Sequence, residues 1–279
     1  MEPRIQYAQT SDGVNIAFWT IGEGIPFVHM PMAAFSHGEL EWQFPEVRRW
    51  YERLSDRRKL VRYDGRGSGL SDRDVTNYSL EAHVLDLEAV VDGLGLERFA
   101  LFAPLHLGPV ATTYTARRPE RVSHLLLWCT WARASDYYRL AQVQTLASLR
   151  DKDWEIYTET IAHAFLGWSE GDLARRFAAF YRESGTQESL QRFAQASEQF
   201  DSTSLLPQVK SPTLVLHRRQ MRLVGVELAK GLATRISGAR LAVLEGAKHR
   251  RSRATWRRSS RPSTSSWTKG RRPPRGLRG

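Results

Sequence analysis

Residues 99–122 read FALFAPLHLGPVATTYTARRPERV, and three backbone signals follow one another within them. The apolar run Phe99 to Phe102 has the length and character of a buried strand. Pro104, Gly108 and Pro109 mark a turn directly after it. Val110 to Arg117 then supplies small, helix-tolerant residues up to Pro119, and the residue before a proline is pushed out of the helical region. The segment therefore reads as strand, tight turn and helix. Its turn, Ala103-Pro104-Leu105-His106-Leu107-Gly108, contains no Ser, Cys or Asp.

The neighbouring segments carry the same alternation. Tyr7 to Thr20 alternates apolar and polar residues around Asp12-Gly13, a hairpin signal. Gly22 to Pro31 is a turn followed by a short apolar strand, and Arg58 to Ser71 is a strand that ends in a glycine-rich loop. Leu80 to Leu94 reads as a helix. Ser211 to His217 and Arg240 to Glu245 read as two further strands, with helix Val226 to Arg235 between them. Strands alternating with helices predict a parallel sheet covered on both faces. Between Asp136 and Leu206 the spacing is helical. Leu140, Val143, Leu146 and Leu149 recur on one face, as do Trp154, Tyr157, Ile161 and Phe165, and then Ala174, Phe177, Phe180 and Tyr181. Aromatic residues in such stripes are expected chiefly as packing groups.

Asp64, Arg66, Gly67, Gly69 and Ser71 fit the pattern D-x-R-G-x-G-x-S. Followed by a helix, a strand and the turn at 103–108, they make roughly residues 5–249 resemble the α/β-hydrolase superfamily. The resemblance implies a mostly parallel sheet with helices on both faces and an inserted helical cap. The core would span residues 1–131 and 207–249, with the cap at 132–206. In that superfamily a sharp strand-to-helix turn, G-x-S-x-G, displays the nucleophile. Counting back from Pro119 puts the nucleophile position at Leu105, and a one-residue shift puts it at His106. The acid would follow the strand SPTLVLH, where Arg218 to Val224 holds no carboxylate and Met221 takes the place. The histidine loop aligns with Gly246-Ala247-Lys248-His249. A histidine base works only with a nucleophile in reach and a third group fixing its tautomer, so retention of His249 by descent is the favoured reading over a catalytic one. The oxyanion hole would use the N–H of His106 with that of Met32 or Ala33, although Pro31-Met32 stands where the family often has His-Gly.

What the resemblance implies is a catalytically impaired hydrolase homologue holding a small apolar or ester-like molecule over Leu105. The alternative is an active ester or lactone hydrolase with a non-standard site built on His249 or His106. The stretches WQFPEVRRWYERL, RYDGRGSGLS and PERVSHLLLWCTWAR are similar to hydrolase-like modules joined to bacterial cyclases or helix-turn-helix regulators, and neither a cyclase nor a helix-turn-helix pattern is visible in these residues.

With 279 residues, 41% hydrophobic content and nine tryptophans, the chain can bury a sizeable core. It has no apolar run of membrane-spanning length, and MEPRIQYAQTSDG lacks a signal-peptide core. The lone Cys129 excludes an intramolecular disulfide and suits a cytoplasmic setting. As a thiol nucleophile it would need a base beside it, and an inert buried role is the favoured reading. Asp64 could approach His249, yet in the resembling families that position mainly stabilises its own loop. None of the eight histidines pairs with another at metal-ligand spacing, so no metal and no cofactor are expected. The GRGSG stretch lacks the full phosphate-binding patterns.

The net charge of +11 is concentrated. Twelve of the 41 Lys and Arg and none of the 30 Asp and Glu lie in residues 248–279, so the rest of the chain is close to neutral. That tail has few aliphatic residues and reads as disordered. Its composition fits an out-of-frame end better than an evolved nucleic-acid arm, but in either case it should bind nucleic acid non-specifically at low salt.

Overall fold

The structure, a computed structural model, describes residues 3–168, 170–219 and 221–245. His249 and the basic tail lie outside the described residues. Asp12-Gly13 reverses the chain, with Gly13 at φ +88°, between antiparallel strands β1 (Gln6–Gln9) and β2 (Asn15–Ile21). A left-handed φ of this kind is cheap only for glycine. The remaining strands are β3 (Ile25–His29), β4 (Arg58–Tyr63), β5 (Phe99–Pro104), β6 (Val122–Trp128), β7 (Thr213–Arg218) and β8 (Arg240–Leu244). They form one sheet in the order β1-β2-β4-β3-β5-β6-β7-β8. Strand β2 is antiparallel to β4, and every pairing from β4–β3 onward is parallel. All six residues of β5 are buried, as a central parallel strand roofed on both faces requires.

Helices α1 (Gly38–Trp42) and α2 (Pro45–Ser55) connect β3 to β4. They add to the elements read from the sequence. Pro45 opens α2 at a position where its missing N–H is not needed. A buried ion pair locks this region to the sheet: Arg62 of β4 donates to Glu41 of α1 through Nη2 (2.6 Å) and Nε (3.1 Å), and Tyr51 of α2 donates to the same carboxylate. Helix α3 (Leu80–Gly93) starts where the Ser79 hydroxyl accepts from the Ala82 amide, an N-cap contact of the usual kind. Helix α4 (Gly108–Arg117) follows β5. Strand β5 runs two residues beyond the predicted Phe102, because Ala103 and Pro104 still pair in register with Leu127 and Trp128. The helix likewise begins two residues before Val110, since Pro109 fits the first helical turn.

Strands β6 and β7 are neighbours in the sheet, yet the chain between them builds α5 (Ala134–Tyr138), α6 (Ala141–Lys152), α7 (Trp154–Leu166), α8 (Gly171–Ser184) and α9 (Gln187–Ser197). Three of these helices carry the stripes read from the sequence. Helix α9 is started by a capping box between Thr186 and Ser189. Helix α10 (Val226–Arg235) packs on β7 and β8. Among the described residues no helix is long and apolar enough to cross a membrane.

Candidate functional site

Three residues other than glycine take a left-handed φ among the described residues, Ala34, Leu105 and Cys129, and Leu105 sits in the turn after β5. Leu105 takes φ +49°, a left-handed value that side-chain-bearing residues adopt only under constraint. A short 3-10 turn over Leu105–Leu107 leads into α4. The constraint is visible: the Leu105 carbonyl accepts from the Gly108 amide and from the Thr130 hydroxyl, and Thr130 is fully buried just after β6. A Cβ on Gly108 would overlap the Thr130 side chain. Leu105 is therefore the apex of the turn and His106 the residue after it.

The loop after β3 faces this apex. It turns at Ala34, φ +65°, and Phe35 N–H donates to the Met32 carbonyl at 2.9 Å. Asp64 anchors its far end by accepting from the amides of Gly38 and Leu70, both at 3.0 Å. Burial pushes the Asp64 carboxyl above the ordinary carboxylate range. Ser36 and Ser68 join hydroxyls at 2.8 Å across the same contact. The amides of Met32 and Ala33 have no acceptor among the described residues.

Between this loop, the apex and the inserted helices lies a cavity. Met32, Ala33, Leu105 and His106 all line it, with Phe35 from the loop, Tyr137 and Tyr138 of α5, Tyr157 of α7 and Phe193 of α9. Its free space is about 60 Å³, room for roughly four water-sized groups. The walls are predominantly apolar. Arg150 of α6 also reaches it, with its guanidinium paired to Asp151 at 2.8 Å.

His106 follows the apex and lines the cavity beside it. Its ring is surrounded edge-on by Trp131 (5.0 Å), Tyr137 (5.2 Å) and Phe193 (5.5 Å). Neither ring nitrogen has a hydrogen-bond partner among the described residues. Desolvation, with a smaller contribution from the charge of His83, pushes the imidazole down to about 3. It is a neutral ring in an aromatic box. Two other candidates stand apart. Met221 is buried behind β7, its amide bonded to the Arg218 carbonyl at 3.1 Å, and it does not line the cavity. Cys129 is fully buried, and burial pushes its thiol up to about 12, which keeps it protonated and unreactive. Among the described residues no group of three or more His, Cys, Asp or Glu could hold a metal ion.

The family described as alpha/beta hydrolase fold matches residues 36–250 of the chain. The chain belongs to the alpha/beta hydrolase fold family. Within that family, it is 27% identical over 252 residues to a protein of Azorhizobium caulinodans named "Putative carbamate hydrolase RutD", covering 87% of this chain and 91% of the relative. Among solved structures, an esterase from Exiguobacterium antarcticum superposes with TM-score 0.78 at 22% identity, over 95% of this chain and 99% of the other. The enol-lactonase from Burkholderia xenovorans LB400 superposes with TM-score 0.72 at 20% identity, over 88% and 92%. At these identities the structural likenesses show the fold alone. The cavity residues that the sequence did not single out for this alpha/beta hydrolase fold protein are mainly aromatic groups of the insertion and Phe35. Their helical spacing marked them as buried. It carried no signal separating walls of a cavity from ordinary packing.

Proposed function

We propose that this alpha/beta hydrolase fold protein is catalytically impaired and binds a small apolar or ester-like molecule in the cavity under its inserted helices, which act as a cap. The reading rests on Leu105. The apex of the strand–turn–helix is where the fold displays its nucleophile, and here that place carries a hydrocarbon side chain that cannot attack a carbonyl. His106 does not restore the chemistry. A ring whose conjugate acid titrates near 3 is unprotonated at neutral pH, but it is a weak base with little drive to take a proton from water. Met221 at the acid position offers no carboxylate.

The competing reading is an active ester or lactone hydrolase in which the Met32 and Ala33 amides, free of acceptors among the described residues, hold an oxyanion while His106 or His249 orients water. Hydrolysis of p-nitrophenyl esters and acyl lactones separates the two. The impaired protein should give at most the weak acceleration that binding and oxyanion contacts retain without a triad, on the order of 10³–10⁴ over water, and His249→Ala should leave it unchanged. A robust rate that disappears in His249→Ala or His106→Ala, with folding verified by circular dichroism, would sink the proposal.

A further inference from the structure

Arg218, the last residue of β7, is 1% exposed. A guanidinium stays protonated in proteins, and a buried charge is expected to be paired. Its Nη1 donates to the Glu245 carbonyl at 3.2 Å. Among the described residues, Nε and Nη2 are buried and have no hydrogen-bond partner. The described groups around it supply none. At the end of β6, the Trp128 ring lies 5.6 Å from the guanidinium carbon, and Cys129, just after it, contributes a protonated thiol. Directly after β8, Glu245 turns its carboxylate to Arg219 at 2.8 Å. From the following loop, Met221 contributes only its amide to the Arg218 carbonyl. The sequence from 246 to 279 contains neither Asp nor Glu, so no side chain there brings a carboxylate.

The unpaired atoms are not arbitrary. Nε–H and the outer N–H of Nη2 lie along one edge of the planar guanidinium, the edge that takes a carboxylate side-on through two parallel hydrogen bonds. We propose that this edge of Arg218 is the seat of a small carboxylate anion bound between the C-terminal ends of β6, β7 and β8. The site is separate from the cavity, which Arg218 does not line, and does not depend on how the cavity is read. Burial also lowers the guanidinium below its ordinary value, the sign expected of a desolvated cation without an anion. The anion reaches the seat by local opening at the sheet edge. Strand β8 is the last strand of the order and only half-buried, and edge elements open at low free energy. A carboxylate matches the edge of one guanidinium in both shape and charge.

Thermal unfolding of the full-length chain in sodium acetate, against sodium chloride at equal ionic strength, tests this. The wild-type midpoint should rise by about 5–10 °C at ~100-fold excess over Kd. Arg218→Met, which fills similar volume without charge, should start above wild type in chloride and show no rise specific to acetate. The basic tail is present in both proteins, so any unspecific anion effect is common to them. An equal acetate rise in Arg218→Met, no rise in wild type, or a larger effect of inorganic phosphate than of acetate would each overturn the assignment. Arg218→Lys keeps the charge and loses the two-pronged edge. If Arg218→Met does not fold, a weakened acetate rise in Arg218→Lys supports the seat, and an undiminished one removes it.

Discussion

Leu105 bears the left-handed φ of the turn after β5, and His106 beside it carries a neutral, desolvated ring. The one-residue ambiguity between them arises because proline and glycine punctuate the turn without fixing which residue bears the left-handed φ. The structure assigns that conformation to Leu105, held by Thr130 and the Gly108 amide. The aromatic box around His106 was illegible, because Trp131, Tyr137 and Phe193 come from three separate segments. The box has a measurable consequence. Above pH 6.5 the ring is neutral both folded and unfolded. As pH falls from 6.5 toward about 3, the unfolded chain binds a proton that the folded chain refuses, so stability falls with falling pH and the loss levels off below about 3. Urea unfolding between about pH 6 and pH 4 should show wild type losing about 1.4 kcal/mol per pH unit more than His106→Phe. Because burial also lowers His124 and His217, the difference between the two proteins, rather than the wild-type slope, isolates His106. Parallel curves would remove the desolvated-histidine account.

Among the elements, strands and long helices were legible because a single periodicity governs each. Helix α2 escaped because only Val47 and Tyr51 of its eleven residues are buried, too few to write a stripe among Arg and Glu. Helix α9 lies inside the helical stretch read over residues 136–206 but yields no stripe of its own, because Ser189 and Ser197 occupy buried positions and interrupt the apolar pattern. The union of β5, its turn and α4 depends on Gly108 for space rather than for backbone freedom, since Gly108 has an ordinary helical φ of −58°. Gly108→Ala should therefore destabilise the fold by about 1–3 kcal/mol, the usual range for overpacking. Gly231→Ala, inside α10 where an added Cβ meets nothing within 4 Å, serves as the control and should be neutral or slightly stabilising. Equal effects in denaturant titrations would mean that Thr130 yields freely.

Across the whole molecule, the buried Glu41–Arg62 pair ties the helices after β3 to the sheet, with exposures of 3% and 1%. Glu41→Ala leaves a buried cation unpaired and should cost about 3–5 kcal/mol, whereas Glu41→Leu with Arg62→Met should recover most of that loss. A single substitution costing under about 1 kcal/mol in urea would show that Arg62 finds another partner. The charge of the tail makes a separate expectation. Duplex DNA binding, followed by anisotropy, should fall steeply between about 50 and 200 mM salt and vanish when residues 250–279 are deleted. Retention after deletion would shift the interaction to the near-neutral body. The insertion between neighbouring strands also bears on how the chain comes off the ribosome. Strand β6, with its Leu125 to Trp128 run, is finished long before Thr213 of β7 arrives to pair with it. At ~5–20 residues per second the intervening helices take on the order of ten seconds to emerge. Throughout that interval the growing sheet presents an apolar edge with open hydrogen-bonding groups, exposed to pairing with other chains until the inserted helices are complete.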